Sequence, residues 1–299
     1  MNISTKKIFQ CCLILLKTST KPSSNFVHLL SSIFLTIIFH PSSIFKRTTK
    51  ESQKHFLTDY LKKPIIVKSP ENFYFIARPK FEDLPRFLFS HILAKWEPLS
   101  LISGNNFVFI DIGANVGYYT LKLSTKFSNC KTIAIEADPE TFKILSKNCE
   151  LNNLQNTTLL NLAVAEKNGI VELSRSKTHS GTSSIVSKQN SNEDIISIHC
   201  STLDSLLNKS YENIDWIKID VEGSELNVLN GAIQTLKITK NILIELHEEI
   251  LTQNNQSYKE IIYILEQNGF QITTFNKYWN SKTSQNQELK SDYILAEKS

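Results

Sequence analysis

The sequence predicts an α/β chain built on a mostly parallel sheet, and three observations lead there. Phe107-Val108-Phe109-Ile110 is an apolar run without polar alternation, the pattern of a strand covered on both faces. It ends at Asp111 and passes through Gly113 and Gly117 into a helical stretch from Tyr118 to Lys126, the strand, turn and helix that open a nucleotide-type pocket. Further apolar runs ending in acids recur at Thr132 to Glu136, Trp216 to Val221 and Ile242 to His247, with helical stretches between them. This is a Rossmann-like layout.

Taken in order, residues 1–50 form an apolar extension, 51–106 a lead-in on the substrate side, and 107–299 the binding domain, with the first boundary in the polar run Lys46 to Lys54. Ile8 to Leu16 follows two lysines, but Lys17 to Lys21 stands where a leader's small-residue cleavage site belongs, so secretion is not expected. Phe26 to Phe39 is 14 residues long and interrupted by His28, Ser31, Ser32 and Thr36. A spanning helix needs roughly 20. A helix packed on the domain or on a partner subunit, or a peripheral contact with a membrane surface, are the two readings of that segment. Glu51 to Lys62 reads as a short amphipathic helix, Ile65 to Val67 and Phe73 to Ile76 as a hairpin-like pair of strands, and Phe81 to Trp96 as a helix stopped by Pro98, with His91 at the core edge.

Beyond the first strand and helix, Thr132 to Glu136 reads as the second strand, and Asp138-Pro139 caps the next helix. Thr158 to Val164 reads as one third strand, followed by Ala165-Glu166 where an adenine ring could meet the chain. Val171 to Leu173 and Ile195 to Ile198 read as short strands on either side of a Ser/Thr/Asn/Lys-rich linker, Ser176 to Glu193. Thr202 or Asp204 caps a helix, Trp216 to Val221 is the fourth parallel strand, and Tyr258 to Asn268 is an amphipathic helix ended by Gly269. Phe270 to Phe275 and Tyr293 to Ala296 close the chain as an antiparallel hairpin.

Charge selects the ligand. A dinucleotide site needs a third glycine and sets a pyrophosphate on the helix N-terminus; here only G-x-x-x-G remains, with Asp111 beside it. S-adenosylmethionine carries an ammonium and a sulfonium, which a carboxylate attracts. Glu136, 23 residues beyond Gly113, stands where a βαβ unit offers an acid to ribose hydroxyls. The candidate cofactor contacts are Asp111, Gly113, Asn115, Gly117 and Tyr118, then Glu136 and Ala163.

Four stretches together carry a resemblance: Ile-Asp-Ile-Gly-Ala-Asn-Val-Gly-Tyr-Tyr-Thr at 110–120, Glu-Ala-Asp-Pro-Glu-Thr-Phe at 136–142, Asn-Cys-Glu-Leu-Asn-Asn at 148–153 and Ile-Lys-Ile-Asp-Val-Glu-Gly-Ser-Glu at 217–225. In this order and spacing they resemble the FkbM family of S-adenosylmethionine-dependent methyltransferases, over roughly half the chain, from about Phe107 to about His247. Ala137-Asp138 departs from the Glu-Pro that the family often shows. The resemblance implies a class I methyltransferase fold, with a seven-stranded sheet and an antiparallel C-terminal strand, and O-methylation of a sugar, glycan or natural-product hydroxyl. Ser180-Gly181-Thr182-Ser183-Ser184 is either a solvated loop or, as its resemblance to a Gly-x-Ser-Ser element of the family implies, a segment that folds over the site and offers hydroxyl donors to a substrate.

Asp220, Glu222, Glu245 and His247 fall at strand ends on one rim of the sheet, where open α/β sheets bind ligands, and are the candidate catalytic residues. Methyl transfer to a hydroxyl needs alignment with the S–CH₃ bond and removal of a proton. His247 or Asp220 is a candidate base; alternatively, Asp220 with Glu245 or His247 holds a divalent metal that acidifies the hydroxyl. Glu225 caps the following helix or takes a direct part.

The net charge of +4 is spread along the chain, so nucleic acid is not an expected partner, and a small-molecule or glycan acceptor is. Five cysteines without metal or paired spacing argue against a disulfide framework or zinc site and for a reducing, cytoplasmic setting. The rival readings are an NAD-dependent dehydrogenase or epimerase, and a non-catalytic cofactor-binding scaffold.

Overall fold

In the computed structural model, residues 64–69, 72–78, 102, 104, 106–176, 184–185, 193–207, 210–275 and 293–298 are described. The expected N-terminal extension, the helices over 51–62 and 81–96 with His91, and the Ser180 to Ser183 element lie outside them. Two units divide the chain: residues 1–101 with 150–152 and 178–180, and the remainder from Ile102 onward. The first holds the expected hairpin, β1 (Ile65–Lys68) and β2 (Tyr74–Ala77), paired antiparallel. No helix of the described residues is long and apolar enough to cross a membrane.

The second unit is built on β3 (Val108–Ile112), α1 (Tyr118–Lys126), β4 (Lys131–Ile135), α2 (Pro139–Leu151) and β5 (Thr157–Leu160), followed by β6 (Ala163–Val164), β7 (Gly169–Ser176), β8 (Ser184–Ile185) and β9 (Glu193–Ser201). The chain continues through α3 (Leu203–Leu207), β10 (Ile214–Ile219), α4 (Glu225–Asn230), α5 (Ile233–Lys237), β11 (Thr239–Glu245), α6 (Glu248–Gln253), α7 (Tyr258–Gln267), β12 (Gln271–Phe275) and β13 (Tyr293–Glu297). A seven-stranded sheet runs in the order β12-β13-β11-β10-β3-β4-β5, with β13 antiparallel to both of its neighbours. β11, β10, β3 and β4 lie parallel at its centre. Their apolar runs are therefore buried on both faces: Phe109, Ile110, Ile133, Ile217 and Ile242 are each nearly inaccessible.

Local chemistry sets the helix ends. Asp138 accepts from the Thr141 amide at 3.2 Å and its hydroxyl at 2.7 Å, capping α2 as expected, with Pro139 at the first helical position. Thr202 Oγ1 caps α3 through the Ser205 amide at 3.0 Å. Asp204, expected as an alternative cap there, serves α5 instead: its carboxylate accepts from the Gln234 and Thr235 amides at 2.9 and 2.7 Å. Ser257 and Glu260 form a reciprocal capping box at the start of α7.

Two expectations are corrected. The single strand from Thr158 to Val164 is two: β5 ends the large sheet, and β6 turns away to pair with β9 in a separate sheet ordered β6-β9-β7-β8. The strands expected at Val171 to Leu173 and Ile195 to Ile198 are the middles of the longer β7 and β9, whose eight-pair antiparallel register forms that second sheet. Ala163 is buried there with Ala165, Leu173, Ile198 and Cys200, in a small apolar core of its own. Cys130, Cys149 and Cys200 are buried.

Candidate active site

The site begins where the tips of β3 and β10 meet. Gly113 has φ of 73°, and a Cβ on it would overlap the Asp220 carbonyl oxygen and stand 2.8 Å from its carbon. Two strand ends therefore touch main chain to main chain, which a side chain at 113 would prevent. Gly117 likewise leaves no room: a Cβ there would lie 2.6 Å from Leu145 Cδ1. Both glycines turn the backbone as expected, at φ of 73° and 94°, and also make close contacts within the chain.

Register carries charge into this contact. Lys218 pairs with Asp111 across β10 and β3, and strand alternation puts Asp220 on the same side as Lys218. The Lys218 ammonium, buried at 3% exposure, lies 3.4 Å from both Asp111 Oδ1 and Asp220 Oδ2, donates to the Gly113 carbonyl at 3.4 Å and sits 5.1 Å from the centre of the Tyr119 ring. Burial alone would lower its pKa, but Asp220, Asp111 and Glu245 outweigh burial and raise it above the ordinary lysine value. Asp111 is 0% exposed, and its Oδ2 accepts from Thr120 Oγ1 at 2.7 Å. This corrects the reading of Asp111 as a carboxylate turned toward a cationic ligand: its charge is met inside the protein by Lys218, so it does not repel an anion as expected.

Beside this turn, Asn115 at φ 52° donates its amide to Glu136 Oε2 at 2.8 Å, and Asp138 donates to Glu136 Oε1 at 2.9 Å. The Glu136 carboxylate is thus fixed at the tip of β4, and burial pushes its pKa up to about 7. Asn115 Oδ1 is buried and, among the described residues, accepts no hydrogen bond. Gly117 gives the first turn of α1 no side-chain cap, and Tyr118 packs edge-on to Tyr119 at 5.2 Å. Ala163 is not brought to this turn by its side chain, which lies in the core of the second sheet. Ala165, expected to face an adenine ring, is also buried, its amide bonded to the Ser201 carbonyl at 3.0 Å.

The rim follows directly. Asp220 leaves β10, Glu222 takes a left-handed φ of 50°, and Gly223 at φ 94° turns the chain into α4 against Ile250. His247, just beyond β11, meets this turn: Nδ1 lies 2.7 Å from Glu225 Oε1 and Nε2 lies 3.3 Å from Glu222 Oε2. Glu225 is 0% exposed and also accepts from the Gly223 amide at 3.0 Å. A carboxylate only accepts, so the Nδ1 proton is fixed toward Glu225 and Nε2 faces outward. Burial alone would lower the His247 pKa, but the Glu225 hydrogen bond and the charges of Glu222 and Glu225 outweigh it and push it up to about 9. Glu245 stands apart from this grouping, accepting from the Tyr293 hydroxyl at 2.7 Å across the β11–β13 pair. Burial first and Glu245 second raise the Tyr293 pKa, so that hydroxyl stays protonated. One donor atom each from Asp220, Glu222 and His247 lies within 4.8 Å of the others, a set able to hold a metal ion, without Glu245.

The methyltransferase FkbM domain matches residues 111–272 of the chain, more than half its length and spanning the turn, the rim and α7. The chain belongs to this family. Similar proteins include methyltransferase sdnD of Sordaria araneosa, 26% identical over 209 residues covering 60% of this chain and 78% of that protein. Methyltransferase 1 of Beauveria bassiana (strain ARSEF 2860) is 20% identical over 190 residues, covering 57% of this chain and 74% of its own. Among solved structures, precorrin-6y C5,15-methyltransferase from Geobacter metallireducens GS-15 aligns over 67% of this chain and 84% of its own, with a TM-score of 0.39 and 16% identity.

In this FkbM-family chain, Lys218, Glu225 and Tyr293 also belong to the site. From the sequence alone Lys218 has no assigned role and Glu225 stands between two. The i, i+2 spacing of Lys218 and Asp220 on a strand was the available signal for the first. Tyr293 gave none, because its meeting with Glu245 depends on the antiparallel return of β13 across 48 residues.

Proposed function

We propose that this chain transfers the methyl group of S-adenosylmethionine to a hydroxyl oxygen of a sugar, glycan or natural-product acceptor, at the rim formed by Asp220, Glu222 and His247. The observation that carries this reading is the contact of Gly113 with Asp220, which makes the glycine turn and the carboxylate rim one continuous site. The buried, unpartnered Asn115 Oδ1, the fixed Glu136 carboxylate and the uncapped first turn of α1 fit a polar cofactor with hydroxyl and amino groups. When bound, S-adenosylmethionine supplies an electrophilic methyl carbon on a positively charged sulfur. Glu136 would accept from the cofactor's ribose hydroxyls. Asp220 and Glu222 would accept from the acceptor hydroxyl and orient it, the new O–C bond forming as the S–C bond breaks while the hydroxyl proton passes to the rim.

Calorimetric titration with S-adenosylhomocysteine, with NAD in parallel, tests the cofactor. The former is expected to bind, and Glu136→Ala is expected to weaken it at least tenfold. Methyl transfer to glycans and small polyols from labelled cofactor should then fall at least a hundredfold in Asp220→Asn, with cofactor binding retained. Binding of NAD in place of S-adenosylhomocysteine, or full turnover by Asp220→Asn, would overturn the proposal.

A further inference from the structure

We infer that Asp220, Glu222 and His247 form a binding site for a divalent first-row metal ion on the acceptor side of the rim, with Glu225 as the positioning residue behind the imidazole. The inference rests on the methyl-transfer reading for the use of the ion, but not for its binding. The donors come from two strand exits, and all three lie within 4.8 Å of one another, so a small inward turn of the side chains brings them onto one ion. Ligands at roughly 2.1 Å from a metal stand about 3 Å apart when adjacent and about 4.2 Å when opposite. The Nε2 to Glu222 Oε2 separation of 3.3 Å is already near the adjacent value. Side-chain exposures of 27% for Asp220, 21% for Glu222 and 19% for His247 leave the outer positions open to water or an acceptor.

Glu225 supplies a second, separate observation. It lies outside the three-donor set, is wholly buried, and holds the Nδ1 edge at 2.7 Å, so that a metal ion displacing the Nε2 proton meets a lone pair on the side of Glu222 and Asp220. That is the carboxylate–histidine arrangement by which proteins orient a metal-binding imidazole. Its other oxygen, Oε2, is buried with no hydrogen-bond partner among the described residues, so a carboxylate is held in the interior behind the ring with half of its accepting capacity unused. A cation at Nε2 compensates that buried charge. Glu222 is held in a left-handed conformation that a non-glycine residue rarely adopts, which turns its carboxylate toward the histidine. The mixed nitrogen and oxygen donors suit manganese and its neighbours better than magnesium or calcium, which favour oxygen alone. Bound there, the ion would polarise the acceptor oxygen and lower its hydroxyl pKa, so that the proton passes to solvent water at the open positions as the O–C bond forms.

The test is titration of the full chain with Mn²⁺, read by electron paramagnetic resonance of the free ion, with S-adenosylhomocysteine binding measured on the same preparations. One Mn²⁺ per chain is expected. Asp220→Asn and Glu222→Gln should each weaken it at least tenfold, and Glu225→Gln by about 10–100-fold, while His199→Ala, an exposed histidine of β9, should not change it. Mn²⁺ should also selectively broaden the imidazole resonances of His247 in the unaltered protein, a readout that survives if a variant fails to fold. No Mn²⁺ bound at millimolar concentration, or equal binding by Asp220→Asn and Glu222→Gln, overturns the site. Cofactor binding without Mn²⁺ binding would remove the metal and leave methyl transfer standing; Mn²⁺ binding without cofactor binding would do the reverse.

Discussion

Replacing Gly113 by alanine tests the joint on which the whole site depends. Two costs add. At φ 73° an alanine sits in the left-handed region, at about 1 kcal/mol relative to glycine. Its Cβ would also overlap the Asp220 carbonyl, and main-chain atoms of a central strand cannot swing aside as a side chain can. The tips of β3 and β10 must part, straining or breaking the 3.0 Å bond from the Asp220 amide to the Ile112 carbonyl. That bond is worth about 1 kcal/mol, and overpacking adds roughly 1–3 kcal/mol more. The total is about 3–5 kcal/mol, a large share of the roughly 5–15 kcal/mol that holds a domain folded. Gly269 is the internal control: its φ is 82°, but a Cβ there would meet nothing within 4 Å, so Gly269→Ala carries the conformational cost alone. Urea denaturation of the two variants should separate them by about 2–4 kcal/mol in unfolding free energy. Equal stabilities would refute the close approach of the two strand tips, and with it the continuity of the glycine turn and the rim.

Two further outcomes follow from buried charge. Lys218→Met leaves the buried Asp111 carboxyl without its ammonium partner, Thr120 being its remaining hydrogen-bond donor among the described residues, and should destabilise by about 3–5 kcal/mol. Adding Asp111→Asn should recover part of that loss, and strictly additive effects in the double variant would show that the two do not interact. Glu136 titrates from an ordinary value of 4.5 to about 7 on folding, so the folded state holds its proton more tightly. Its contribution is fully present below pH 4.5 and is lost as pH rises toward 7, about 3 kcal/mol over that window. The difference in unfolding free energy between the protein and Glu136→Gln should shift by that amount between the two pH values, in favour of the variant at the higher pH. A pH-independent difference would mean that the carboxyl is not desolvated.

The sequence by itself determined the large sheet and its local punctuation. Unbroken apolar runs such as Phe107 to Ile110 announce strands buried on both faces, and Asp138-Pro139 and Gly269 announce helix ends, because burial pattern and capping act within a few residues. It also placed Asp220, Glu222 and His247 together at one rim of the sheet, since polar groups at strand exits stand out against apolar strands. What the tertiary structure decided was each group's partner. Asp111 and Lys218 are neighbours because two strands 107 residues apart align in register, and that pairing turns an expected ligand contact into an internal ion pair. Asp204 caps α5 and not α3, where it lies, and Glu245 is matched to Tyr293 by the returning last strand. The division of the third strand had the same origin. Thr157 to Leu160 and Ala163-Val164 are alike in local preference, but the first pairs with β4 and the second with β9. Local preference acts along the chain, whereas charge neutralisation, close glycine contacts and strand pairing act across space, so only the folded arrangement could assign them.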